Sequence, residues 1–288
     1  MLKEQGFDTG EVRLNYAEGP PSGSPLVLLH GFTRRWQDFL PLLPVLSLRW
    51  HIYAPDFRGH GRSGRVPGRY EVEDFVSDIG AFVRDVVKAP AVLFGHSLGA
   101  QFALEVAARA PDSVRAVIVA DVPLSTETWA AQPIHLEFLA RMRELAGWEV
   151  SIGELTNALA KVPVPGQEPA TSFGESPDVI SVELREWART LSQLDPEVLG
   201  SHAEGRRDEF IAAFDFENVL RAISCPVLLL QGEPSHGGMM TDADVEYAMG
   251  RLPEAYHVQI EDVDHGLGID LWEVAPVLRA VSSFLESL

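Results

Sequence analysis

The sequence predicts an α/β protein: a mostly parallel central sheet with helices on both faces and a helical insertion late in the chain. Three features predict it. Residues 26–29 (LVLL), 91–94 (AVLF) and 114–120 (VRAVIVA) are short, nearly continuous apolar runs, as strands covered on both faces require. Amphipathic helical patterns separate such runs, and strands alternating with helices argue for crossover connections and a parallel sheet. From Val122 to about Asp215 strand signals stop, and residues 225–231 (CPVLLLQ) then resume them. A core domain is therefore expected over 1–121 and 216–288, with a helical cap over 122–215.

In chain order, residues 11–16 (EVRLNY) alternate polar and apolar, as an antiparallel strand with one wet face does. A Gly/Pro/Ser-rich turn over 19–25 leads into strand 26–29, which ends in His30-Gly31-Phe32. Residues 36–48 read as a short helix interrupted by Pro41 and Pro44. Strand 51–54 runs into a turn dense in glycine and charge, where Asp56, Arg58 and His60 resemble a catalytic cluster by composition; the preferred reading is that they pin the loop. A helix over 71–87 keeps Val72, Phe75, Val76, Ile79, Val83 and Val86 on one face. After strand 114–120, helical stretches are expected at 126–145, 152–160 and 179–194, with a Pro/Gly/Ser-rich linker over 161–177. Trp129, Phe138, Leu139, Met142, Trp148, Phe173 and Trp187 are candidate pocket residues, though at helical spacing most belong to the core. A helix over 241–251, a last strand over 256–263 and a closing helix bearing Val274, Val277, Leu278, Val281, Phe284 and Leu285 complete the chain.

Composition narrows the function. A net charge of −19 repels nucleic acid and anionic lipid, so neither is an expected partner. No apolar run reaches the length of a membrane span, and the first residues lack an apolar signal core. Cys225 is the single cysteine, so no internal disulfide forms, and a cytoplasmic location is expected. The expected partner is a small molecule, with the chain a monomer or a homodimer.

Gly95-His96-Ser97-Leu98-Gly99 carries the chemistry. It matches G-x-S-x-G, with a buried strand before it and a helical face (Ala100, Ala103, Leu104, Ala107) after it. A serine in a strained positive-φ turn leaves no room for side chains two residues away, which explains both glycines. The turn exposes the Ser97 hydroxyl at a helix N-terminus, where developing negative charge is favoured. In such enzymes the residue after the nucleophile and the loop after an earlier strand supply the oxyanion donors, here the backbone N–H groups of Leu98 and Phe32. His30 is read as structural.

Together with His30-Gly31-Phe32, the 56–61 loop and the late Asp264-His265-Gly266, this elbow resembles an α/β-hydrolase-fold serine hydrolase with a cap, over essentially the whole chain. The resemblance implies an α/β-hydrolase fold, Ser97 as nucleophile and His265 as general base, with no metal or organic cofactor. His60, His96, His236 and His257 are the competing histidines; His96 is expected to point away across the turn. The acid departs from the common pattern. Relatives usually carry Asp three residues after the glycine that ends the penultimate strand, where this chain has Ser235. Some relatives place it at the end of the strand after the nucleophile helix, which is Asp121; Glu233 is the alternative. Asp242, Asp244 and Asp264 are less suited.

The resemblance implies acyl-enzyme hydrolysis of a small carboxylic ester. A C–C bond hydrolase, lactonase, amidase or perhydrolase would use the same three groups. Haloalkane dehalogenases and epoxide hydrolases need a carboxylate where this chain has Ser97. A non-catalytic ligand-binding member of the fold is the alternative of another class, with Ser235 as its support.

Overall fold

The computed structural model describes residues 2–133, 135–165, 171–176, 181–269 and 272–288. The expected linker therefore lies outside the described residues at 166–170 and 177, as do the first two residues of the expected 179–194 helix. The strands are β1 (Lys3–Asp8), β2 (Arg13–Glu18), β3 (Pro25–Leu29), β4 (His51–Pro55), β5 (Ala91–His96), β6 (Val114–Ala120), β7 (Val227–Gln231) and β8 (Ala255–Gln259). They form one sheet in the order β1-β2-β4-β3-β5-β6-β7-β8. β1 pairs antiparallel with β2, and β2 with β4; every other pairing is parallel.

The helices are α1 (Leu43–Leu46), α2 (Val72–Phe82), α3 (Leu98–Arg109), α4 (Thr126–Ala131), α5 (Leu136–Leu145), α6 (Ile152–Leu159), α7 (Ser181–Ser192), α8 (Gly200–Ala203), α9 (Arg207–Ile211), α10 (Phe216–Ala222), α11 (Asp242–Met249) and α12 (Ala275–Ser287). A single π turn, Val83–Val87, extends α2 to the end of the expected helix. The expected 126–145 helix is two helices, parted around Pro133, whose ring cannot sit inside a helix. The last strand is shorter than the expected 256–263, because Val263 already lies in a loop where its carbonyl accepts from Glu233 N–H. β1 has no counterpart in the sequence reading. Its side chains are mostly exposed, and its backbone pairs with β2 alone.

Alternation along the parallel strands divides the core in two. Val27, Leu29, Leu93, Val117, Val119 and Leu229 face one side, where α2, α3 and the helices between β6 and β7 pack. Leu26, Leu28, Ile52, Val92, Phe94, Ile118, Leu228 and Leu230 face the other, against α1 and Val277, Val281 and Phe284 of α12. Truncating one such leucine to alanine costs about 2–5 kcal/mol. Register then sets the site. Leu29 lies opposite Gly95, His96 opposite Ala120, and Ala120 opposite Leu230, so β3, β5, β6 and β7 end side by side. In parallel α/β sheets ligands bind at these carboxyl ends. Among the described residues no helix is long and apolar enough to cross a membrane.

Candidate active site

Ser97 joins β5 to α3 with φ 55° and ψ −129°, a left-handed conformation uncommon for a residue with a side chain. The register of β5 holds it there, since Ser97 N–H donates to Ala120 O at 2.8 Å. Both glycines of the turn are required by contact. A Cβ at Gly95 would collide with Gly99 O and the Ala100 backbone, and one at Gly99 with the Leu29 and His30 carbonyls. Gly31 is nearly as tight, its Cβ position lying 3.2 Å from Ser97 Cβ. Phe32 follows directly, and Leu98 opens α3. The backbone N–H groups of Phe32 and Leu98 have no acceptor among the described residues.

His265 reaches this turn from the loop after β8. Ser97 Oγ donates to His265 Nε2 at 2.9 Å, and His265 Nδ1 donates to Asp121 Oδ2 at 2.7 Å. Asp121 follows β6 directly, is fully buried and has φ 43°. Its carboxylate also accepts Met239 N–H (2.8 Å) on Oδ2, and Gly232 N–H (2.9 Å) and Met240 N–H (3.2 Å) on Oδ1. Burial alone would raise the carboxyl's pKa. The bond and charge of His265, with the Met239 and Gly232 N–H groups, outweigh burial and hold it below the ordinary value. An ionised carboxylate on Nδ1 fixes the tautomer that leaves Nε2 free to accept the serine proton, and it favours the imidazolium that results. Such a chain turns a weak hydroxyl into a nucleophile.

Glu233 is placed elsewhere. It accepts Asp262 N–H (2.9 Å) on Oε2 and Ser235 Oγ–H (2.9 Å) on Oε1, and pairs with His236 Nδ1 at 3.2 Å. It ties the loop after β7 to the loop after β8. Among the described residues Glu233, His236 and Asp262 are also the group whose ligand atoms lie within 4.8 Å of one another, beside the serine site and outside it. Asp244 caps α11 and accepts Leu124 N–H, and Asp264 accepts Gly266 N–H.

His96 corrects an expectation. Rather than pointing away, its ring lies 4.9 Å from that of His265 and its Nε2–H donates to His265 O at 2.8 Å. As the last residue of β5, it faces the neighbouring loop and buttresses the histidine beside Ser97. His30 is the structural residue expected. Its Nδ1–H donates to Gly31 O, its Nε2 accepts Phe57 N–H, and burial pushes its pKa well below the ordinary value. The 56–61 loop is pinned as expected. Asp56 accepts Trp36 N–H and Arg62 N–H, the Arg58 guanidinium holds Asp78 and Glu11, and His60 Nδ1–H donates to Arg58 O. His257 bonds Gln231. Of the aromatic residues singled out in the helical stretch, Phe138, Phe173 and Trp187 pack on one another, Trp129 is buried and Trp148 is exposed. The Asp121 cradle of Met239 and Met240 N–H groups carries no side-chain signal. Gly232 does: a Cβ there would strike Asp264 O, so the glycine lets the two loops meet.

Comparisons with known proteins agree with this architecture. A family model described as the alpha/beta hydrolase fold matches residues 24–270. The chain is 28% identical over 282 residues to 2-(acetamidomethylene)succinate hydrolase of Mesorhizobium japonicum (strain LMG 29417 / CECT 9101 / MAFF 303099), covering 97% of this chain and 94% of the relative. A crystal structure of E-2-(acetamidomethylene)succinate hydrolase superposes with a TM-score of 0.74 at 26% identity, covering 99% of this chain and all of that one. The enol-lactonase from Burkholderia xenovorans LB400 shares the fold, with a TM-score of 0.70 at 21% identity over 98% of this chain and all of that one. The family model spans the sheet from just before β3 to past His265, and with it every element that positions Ser97, Asp121 and His265: this chain belongs to the α/β-hydrolase fold family.

Proposed function

We propose that the protein is a serine hydrolase that cleaves a small carboxylic ester through an acyl-enzyme. Ser97 is the nucleophile, His265 the general base and then the general acid, and Asp121 the carboxylate that orients and charges it. The substrate carbonyl sits with its oxygen toward the unspent N–H groups of Phe32 and Leu98. Ser97 Oγ attacks while its proton passes to Nε2. The two amides hold the oxyanion, and His265 returns the proton to the leaving alcohol. Water, deprotonated by the same nitrogen, then releases the acid and restores Ser97. The continuous chain from Ser97 Oγ through His265 to Asp121 Oδ2, at 2.9 and 2.7 Å, supports this reading more than any other observation. The helices between β6 and β7 form the cap in this reading. Phe32 packs against His202 at 4.6 Å between ring centroids, and Asp195 N–H donates to Gly59 O, two contacts that support a cap lying over the loops beside the serine.

A second reading, cleavage of an N-acyl bond by the same groups, is favoured by one observation: the full-length similarity to a hydrolase whose substrate carries an acetamido group. Hydrolysis of p-nitrophenyl butyrate by wild type and by Ser97→Ala, side by side, tests the shared chemistry. Turnover is expected to fall by about 10⁵-fold or more in the variant. Equal turnover in both proteins would mean that another residue attacks.

A further inference from the structure

Arg207 opens α9 in the proposed cap segment, and it is unusual among that segment's arginines. Arg141, Arg189 and Arg206 are exposed and pair with exposed glutamates, whereas the Arg207 side chain is only 8% exposed. Its guanidinium on one side, and its helix on the other, are linked to the flanks of the serine site. On one side Nη1 donates to Gln132 O at 2.9 Å, Gln132 Nε2 reaches Met239 O, and Met239 N–H donates to Asp121. On the other, Phe210, three residues along α9, packs on His202 (5.2 Å between centroids), and His202 packs on Phe32 (4.6 Å). Phe214 meets Phe102 of α3, which fixes this segment to the nucleophile helix as well.

The buried guanidinium lacks a firm counter-charge. Among the described residues the carboxylate within ion-pair reach is Asp208, through one oxygen at 3.3 Å from Nη2 and 3.4 Å from Nε, and that carboxylate is 76% exposed. Charge-assisted bonds to carboxylates are shorter, at about 2.7–2.9 Å, and arginine favours a two-oxygen fork. A buried charge with so weak a partner is costly unless something else pairs with it. The neighbouring His202 is held neutral, its pKa pushed down to about 4 by burial and then by the Arg207 charge, so it supplies a polar edge and no competing cation. The chain as a whole carries a net charge of −19 and repels anions, so an anionic substrate needs a dedicated cation at the site.

We infer that Arg207 is the receptor for a carboxylate on the substrate, and that the preferred substrate is an acyl compound bearing a carboxylate a few bonds from the scissile carbonyl. This rests on the proposed hydrolase reading and names the substrate class of that same site. Arg207 is a specificity-determining residue here and takes no part in the bond changes.

The test compares monomethyl succinate with methyl butyrate, followed by acid release, in wild type, Arg207→Gln and Arg207→Lys. Wild type is expected to prefer the charged ester. Arg207→Gln is expected to lower the ratio of the two kcat/KM values by about ten- to hundredfold, the scale of one charged hydrogen-bonded pair. Arg207→Lys, which keeps the charge without the fork, should retain part of the preference and serves if the glutamine variant fails to fold. An unchanged ratio overturns the inference and leaves the hydrolase reading intact. If wild type hydrolyses neither ester, calorimetric titration with malonate, succinate and glutarate decides. Binding weakened at least about tenfold by Arg207→Gln upholds the carboxylate receptor while the ester reading fails; binding of none, or equal binding to the variant, overturns it.

Discussion

Two acidic positions follow adjacent strands, at the end of β6 and in the loop after β7, and they are bonded differently. Asp121 continues a central strand, is fully buried, and receives three backbone N–H groups besides His265. Glu233 lies one residue past Gly232, in a loop whose neighbours Pro234, Ser235 and His236 are exposed, and it serves loop-to-loop bonding. The difference teaches that a carboxylate is fitted to orient an imidazole by what anchors it. A strand end fixed by the ladder, with Asp121 N–H donating to Leu230 O at 2.8 Å, holds its side chain to a narrower range than a surface turn can.

Four substitution experiments press on that contrast. The largest effect is expected from Asp121→Asn, which keeps the shape but removes the charge and favours the wrong imidazole tautomer. Ester turnover should drop by about 10³- to 10⁴-fold, read as kcat on a short-chain ester. The same variant sharpens the contrast in stability. The folded-state carboxyl of Asp121 is held below its unfolded value, so its ionised form contributes stability that is fully present above about pH 4 and lost as pH falls through the lowered value. Urea midpoints of wild type and Asp121→Asn should therefore differ by a constant amount from pH 7 down to about 4 and converge below it. A gap that widened on acidification would break the account. Third, adding Ser235→Asp to Asp121→Asn should recover less than about tenfold of the lost kcat. Ser235 Oγ faces Glu233, and a carboxylate there would be repelled by its neighbour. Recovery of a hundredfold or more would make the two positions interchangeable. The smallest effect is expected from Glu233→Gln. Its amide oxygen can still accept Asp262 N–H, and kcat should stay within about twofold of wild type.

The same contrast separates what the sequence carries locally from what only the fold assembles. The parallel strands were legible because burial on both faces leaves a physical trace in contiguous residues, as in LVLL and VRAVIVA. The elbow is legible because its two glycines and the serine between them fall within five residues, although the collision that forces Gly99 comes from the distant Leu29 and His30 carbonyls. β1 left no trace, since KEQGFD buries almost nothing and is held by backbone pairing. The choice between Asp121 and Glu233 stayed open for a different reason. It depends on where three loops end relative to one another, with His265 lying 144 residues beyond Asp121. The turn of His96 toward His265, 169 residues away, escaped for the same reason. Nothing local in the sequence distinguishes the buried Arg207 from the exposed Arg206 before it.

Ser97 and Asp121 both hold positive φ, 55° and 43°, at the ends of adjacent strands. Each conformation costs about 1–2 kcal/mol in a residue that bears a Cβ, and glycine would relieve it. Both positions thus carry backbone strain that the rest of the fold must hold, and only at Asp121 do the side chain's own hydrogen bonds offset it. The reserve that keeps them in place comes from the two apolar layers around β3, β5 and β6. Mutational tolerance far from the site therefore rests on the same packing as the site's geometry, and a lineage under pressure only for stability would relax Ser97, the proposed nucleophile, first.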